Sequence, residues 1–240
     1  MDTVANHIVT ITPRRIENLF NRCIQQLAKQ GVFPKKINAA CDATLYETTN
    51  KFKGCGSVTR KVKVKARGYR KSGELKEVSV TLYGWKAWAI YEIKTGIPLA
   101  IKIDTIEKPD NLHVLAVLEQ AKENVKTGSI IDSLVIDRGF LDGKIIYKID
   151  QQGIEFVIPL KRNMEAAKDA RQLALDSDNF LPVTREVEVV HGYGKKKHTE
   201  KVLTTLVEVP DLLTCDWFNP EGSQANTAKK DYEPIPLNAV

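Results

Sequence analysis

The segment 133–143, SLVIDRGFLDG, constrains the fold more than any other part of the chain. Leu134, Val135 and Ile136 form a continuous apolar run, the pattern of a strand covered on both faces, and Asp137, Arg138 and Gly139 end it with charge and a glycine. This places Asp137 at the carboxyl end of a strand, where ligands of open α/β sheets gather. Taken alone, such an aspartate could equally cap the next helix.

The flanking patterns supply the rest of a fold. Thr12 followed by Pro13 gives a helix cap and a first-turn proline, so a helix is expected over 12–31, with Ile16, Leu19, Phe20, Cys23, Ile24 and Leu27 inward and Gly31 at its end. Residues 37–42, INAACD, read as a short strand ending at Asp42. The basic stretch 43–76 reads as an excursion in which VKVKA alternates like an exposed strand. A β hairpin is expected over 78–103, turning at Lys94, Thr95 and Gly96, with Pro98 early in its second arm. A helix over 110–126 should turn Leu112, Leu115, Leu118 and Ala121 inward. After the Asp137 strand come a helix over 142–152 closed by Gly153, a strand over 154–160, a helix over 164–175 and a hairpin of 185–190 with 202–209. Residues 219–240 read as an irregular end. Antiparallel strands followed by βαβ units give an α/β fold, a mixed sheet of ribonuclease-H type flanked by helices. The expected division is a helical segment over 1–34, a core over 35–175, and a β-rich insertion begun over 176–240.

The net charge of +6 favours a polyanionic partner, and it is unevenly spread. From Lys51 to Lys76 the chain is densely basic, with Glu74 its single acid. Arg60, Lys61, Lys63 and Lys65 are the candidates for DNA-backbone contacts, the alternative being a charged edge that discourages strand pairing. Cys23, Cys41, Cys55 and Cys215 lie far apart with no zinc-ligand spacing, which suggests reduced thiols in a cytosolic protein. No apolar signal core and no uncharged run long enough to span a membrane occurs. Of the histidines, His113 suits a surface or capping role better than an approach to a site, and His191 and His198 flank a Gly/Lys loop.

Two strands that each end in an aspartate could bring Asp42 and Asp137 to one sheet edge. Paired carboxylates suit Mg²⁺, which takes one or two protein carboxylates and keeps several waters, and the chemistry they support is in-line phosphoryl transfer. The segments ACDAT around Asp42, GWKAWAIYEIKTGIPLA, KPDNLHVL and VIDRGFLDG, in that order, resemble the catalytic core of bacterial insertion-sequence transposases of the DDE type over roughly residues 35–162. The resemblance implies a ribonuclease-H-like core, two divalent ions (Mg²⁺ or Mn²⁺), and cleavage and strand transfer of double-stranded DNA at an element's ends. It also implies a nucleoid-associated cytoplasmic protein that could act as a homo-oligomer on DNA. The first two acids of the triad carry over to Asp42 and Asp137, and Arg138 and Gly139 match the continuation of the second motif, Arg138 as a DNA contact. The third acid, a glutamate on a helix after a β-rich insertion, has no counterpart: Glu186, Glu188 and Glu208 fall in expected strands, and Glu221 and Glu233 in an irregular tail. The chain is therefore expected to be C-terminally incomplete. The alternatives are an inactive DNA-binding remnant and a metal-dependent nuclease of the same fold.

Overall fold

The computed structural model describes residues 11–65, 75–140, 142–160, 165–175, 182–191, 197–207, 209–213 and 236–239. They divide into two compact units, one drawn from 11–140 and 148–158, the other from 142–147 and 159–239.

The first unit is built on a six-stranded sheet of β1 (Lys36–Thr48), β2 (Gly56–Lys65), β3 (Leu75–Glu92), β4 (Pro98–Thr105), β5 (Ile130–Ile136) and β6 (Glu155–Val157). The strand order is β2-β3-β1-β5-β6, with β4 also paired to β3. β3 pairs antiparallel with β1, β2 and β4, whereas β1–β5 and β5–β6 are parallel. This is the mixed α/β sheet of ribonuclease-H type. The β3–β4 turn falls where expected, with Gly96 at φ 68°, a conformation that costs a residue with a β-carbon.

One face of the sheet carries the core. Ile37, Ala39 and Cys41 of β1 alternate inward and meet Trp88 and Ile90 of β3, Leu99 and Ala100 of β4, and Leu134 and Ile136 of β5, all buried. Each fully buried aliphatic side chain contributes on the order of 2 kcal/mol. Helices α1 (Pro13–Lys29) and α2 (Val114–Val125) pack against each other and against β4 on this face. Asn124 of α2, 1% exposed, joins all three elements. Its Nδ2 donates to Leu99 O at 2.8 Å and Asn21 Oδ1 at 2.9 Å, and its Oδ1 accepts from Gln25 at 3.0 Å and Gln120 at 2.9 Å.

Several expectations need correction. β1 does not stop at Asp42 but runs to Thr48, because β3 is 18 residues long and partners it as far as Thr48 opposite Tyr83. The region 43–76 is accordingly no excursion over most of its length: it continues β1 and forms β2. α1 begins at the expected cap, where Thr12 Oγ1 accepts from Arg15 N, but it is rotated about its axis. Glu17, Ile24 and Ala28 are buried, while Ile16 and Leu19 are 43% and 66% exposed. Glu17 is the cause: its carboxylate accepts from Ile103 N at 2.8 Å and Lys102 Nζ at 3.0 Å, satisfying the edge strand β4 with a charged group that apolar periodicity cannot register. The expected helix over 110–126 begins as a 3-10 turn, Asp110–His113, leaving Leu112 exposed, and then turns Val114, Val117, Leu118, Ala121 and Val125 inward. β6 covers three residues of the expected seven.

The next helix, α3 (Gly143–Asp150), buries Ile145, Ile146 and Ile149 as its spacing predicts, with Gly153 at φ 66° beyond its end. In the second unit lie α4 (Glu165–Leu175) and an antiparallel hairpin of β7 (Pro182–His191) with β8 (His198–Val207). There β9 (Val209–Leu213) pairs with β10 (Pro236–Ala239), so the last residues are not uniformly irregular. Proline and asparagine in PLNA had hidden the strand. Among the described residues no helix is long and apolar enough to cross a membrane.

Candidate active site at the end of the parallel strand pair

The parallel pairing of β1 with β5 ends at Cys41 opposite Ile136. Asp42 is the next residue on β1 and Asp137 the first residue past β5, so the fold sets their backbones side by side where β5 stops and β1 continues. Asp42 is therefore not at a strand end, yet it stands at the end of the parallel ladder, which is the feature that matters for a ligand crevice. Alternation along β1 turns Asp42 to the face opposite the one that Ile37, Ala39 and Cys41 bury.

Both aspartates are exposed, and each is oriented by its own backbone: Asp42 Oδ1 accepts from Ala43 N and Asp137 Oδ1 from Arg138 N, each at 2.7 Å. Among the described residues neither forms an ion pair. Two like charges on neighbouring strands are unfavourable without a cation. The electrostatics are felt nearby. Burial, reinforced by the Asp42 charge, pushes the Cys41 thiol up to about 12. Burial, with Tyr46, Asp42 and Cys41 adding to it, also raises the Tyr91 phenol.

Gly139 sits in the 3-10 turn Arg138–Phe140 that follows Asp137. A β-carbon there would lie 3.7 Å from Asp137 Oδ2 and 3.7 Å from Asp110 Oδ2, so a third carboxylate, which sequence reasoning did not single out, lies near that of Asp137. Asp110 Oδ1 accepts from Lys86 Nζ at 2.8 Å, and that ammonium also donates to Lys108 O at 2.5 Å. The signal was in the sequence: Asp110 lies inside KPDNLHVL, and Lys86 stands at an inward position of β3. Among the described residues, no three His, Cys, Asp or Glu side chains form a ready metal cage. The donor set at Asp42 and Asp137 fits a hard cation that takes two protein carboxylates and retains water.

The basic residues divide by register. Lys65 is described only by its backbone pairing with Leu75, and Lys61 and Lys63 pair with Ser79 and Glu77, which share the parity of Ala89, the partner of Asp42. Lys61 and Lys63 thus lie on Asp42's face of the sheet, whereas Arg60, opposite Val80, lies on the other. Lys61 also pairs with Glu77 at 3.6 Å. Arg138 is exposed beside Asp137.

The remaining residues lie elsewhere. His113 Nε2 is 2.7 Å from Asp104 Oδ2, with its ring edge-on to Trp88. Trp85 and Trp88 point to opposite faces as their spacing requires, and Trp88 is the buried one. His191 and His198 stack across β7 and β8, with His191 3.4 Å from Glu200. Glu186 pairs with Lys201 at 3.2 Å on the same hairpin, and Glu188 is exposed there. Glu208, Glu221, Glu233 and Cys215 lie outside the described residues. Cys23, Cys41 and Cys55 are free thiols.

No curated protein matches the chain. Residues 38–213 match the family model described as the transposase DDE domain, a span that begins just before Asp42 and takes in both aspartates. The chain belongs to the DDE-domain transposases.

Proposed function

We propose that the chain is the catalytic part of a bacterial insertion-sequence transposase, which cuts DNA at the element's ends and joins the freed 3′ ends to target DNA using divalent metal. The observation that carries the reading is the side-by-side placement of Asp42 and Asp137 at the last step of the β1–β5 ladder, within the span that matches the family. Both carboxylates would hold Mg²⁺ or Mn²⁺. Bound there, the ions would activate an attacking oxygen and stabilise the leaving one in an in-line displacement.

The protein's own part is placement. The Ala43 and Arg138 amides fix the rotation of the two carboxylates, leaving each with a free oxygen edge. Lys61, Lys63 and Lys65 would hold phosphates, the first two along the same face, and Arg138 would contact the backbone next to Asp137. Such contacts supply affinity and register without reading sequence. The third acid of the family's triad is left unassigned; Glu186 stands on the β7–β8 hairpin in an exposed ion pair with Lys201. Assembly of several copies on DNA is part of the same proposal.

The test is cleavage and joining of a donor plasmid carrying the element's ends, in Mg²⁺ or Mn²⁺, by the native chain and its Asp42→Asn and Asp137→Asn variants. Cleavage and joining that both disappear in either variant support the reading. Cleavage without joining would make it a nuclease. Metal-independent DNA binding, unchanged in the variants and with no cleavage, would make it a DNA-binding protein without chemistry.

A further inference from the structure

Lys86 is 6% exposed, an unusual place for a lysine, and a buried ammonium must be paired. Its cross-strand partner on β4 is Asp104, yet the two do not use each other. Both reach instead to the 3-10 turn Asp110–His113. Lys86 binds Asp110, and Asp104 binds His113. Trp88 is the platform between them: its Nε1 donates to Asp110 O at 2.6 Å, its ring meets His113 edge-on at 4.7 Å, and Lys86 Nζ lies 5.5 Å from the ring centre. A short turn is thus fixed at both ends by side chains of β3 and β4, Lys86 and Trp88 buried and Asp104 half-buried.

What this fixture holds in place is one carboxylate. Asp110 gives Oδ1 to Lys86 and keeps Oδ2 on the side of Gly139 and Asp137. Asp110 Oδ2 and Asp137 Oδ2 would each lie 3.7 Å from a β-carbon at Gly139, an ordinary contact distance, so the glycine leaves unfilled a space that both oxygens border. Because the three aspartates do not form a cage, Asp110 stands outside direct coordination.

We infer that Asp110 is a positioning residue of the Asp42–Asp137 site. Its Oδ2 accepts hydrogen bonds from water retained by a cation on the pair, Lys86 fixes its rotation, and Gly139 keeps open the space between it and Asp137. The inference rests on the proposed metal-dependent reading. Outer partners of this kind typically change metal affinity about 10–100-fold when removed.

The experiment is Mn²⁺ titration followed by electron paramagnetic resonance, with thermal unfolding run in parallel. The proteins are the native chain, Asp137→Asn, Asp110→Asn, Gly139→Ala, and the double variant Lys86→Met with Asp110→Asn. Expected are loss of binding in Asp137→Asn and a Kd raised about 10-fold or more in Asp110→Asn and Gly139→Ala. The double variant removes the buried charge with its partner, so it should recover stability relative to Asp110→Asn while its Kd stays high. Native affinity in the double variant would overturn the inference and leave Asp110 as the counter-ion of Lys86. So would native affinity in both single variants at Asp110 and Gly139. If the native chain bound no Mn²⁺, or Asp137→Asn bound it normally, the underlying metal reading would fail and the inference with it.

Discussion

Replacing Asn124 by alanine should destabilise the first unit by about 2–4 kcal/mol. Four hydrogen bonds end on this side chain, but they are not equal. Asn21, Gln25 and Gln120 are partly exposed and can turn to water when Asn124 is gone, so each forfeits little. The carbonyl of Leu99 is different, because Leu99 is fully buried and loses a donor that water cannot easily replace. An unsatisfied buried acceptor costs about 1–3 kcal/mol, and the space left by the amide adds a cavity contribution of about 1 kcal/mol. Asn124→Asp is the sharper probe: it keeps the shape but turns both donated bonds into oxygen facing oxygen at Leu99 and Asn21. Its loss relative to the native chain should grow between acid and neutral pH, since a protonated carboxyl can still donate one bond. Urea unfolding followed by circular dichroism at several pH values measures both. A change below about 0.5 kcal/mol in Asn124→Ala, or native stability of Asn124→Asp at neutral pH, would refute the reasoning.

Other outcomes follow from the same structure. A β-carbon at Gly84 would lie 2.2 Å from the carbonyl oxygen of Tyr46, so Gly84→Ala should cost about 3 kcal/mol or more in unfolding free energy by prising β1 from β3. Three carboxylates sit below their ordinary values. Burial pushes Glu92 up but is outweighed by Thr95 and Lys94, and burial pushes Asp104 up but is outweighed by the Thr105 amide and His113. The Thr105 hydroxyl holds Glu107 down. Depressed folded values add stability above the unfolded values of 4.5 and 3.8, and that stability is lost as pH falls through the folded ones. Thermal midpoints should therefore fall as pH drops below about 4.5, and less steeply in Glu92→Gln. Thiol alkylation at neutral pH, mapped by mass spectrometry, should modify exposed Cys23 and spare Cys41, whose thiol is pushed up to about 12. Replacing Lys61, Lys63 and Lys65 by alanine should weaken DNA binding and lower the slope of log K against log salt by about 1 per lysine, with the Arg60→Ala slope changing less.

The order of strands and helices was legible because it rests on local patterns: the continuous run of Leu134–Ile136, the Thr95-Gly96 turn, and the isoleucine spacing of α3. Asp42 and Asp137 could be picked out for the same reason, each following an apolar run. What could not be read was whatever depended on a distant partner. The length of β1 was hidden because residues 43–48 owe their strand conformation to β3. The orientation of α1 is set by Glu17 on the edge of β4, an interaction with no periodic signature. Asp110 escaped for a related reason: its carboxylate gains meaning from Lys86 and Gly139, one well before it and one well after it in the chain.

The parallel contact between β1 and β5 also bears on when the site comes into being during folding. β3 meets its antiparallel neighbours through nearby chain, but Asn38 and Ser133, bonded across the parallel pair, are 95 positions apart. Closing so long a loop is entropically costly and is favoured only after local hairpins and helices have formed. The two carboxylates therefore meet late, when most of the sheet already exists. A nascent or partly opened chain would carry its basic strand before Asp42 and Asp137 are brought together, so under the proposed function the contact with DNA would precede the capacity to cut it.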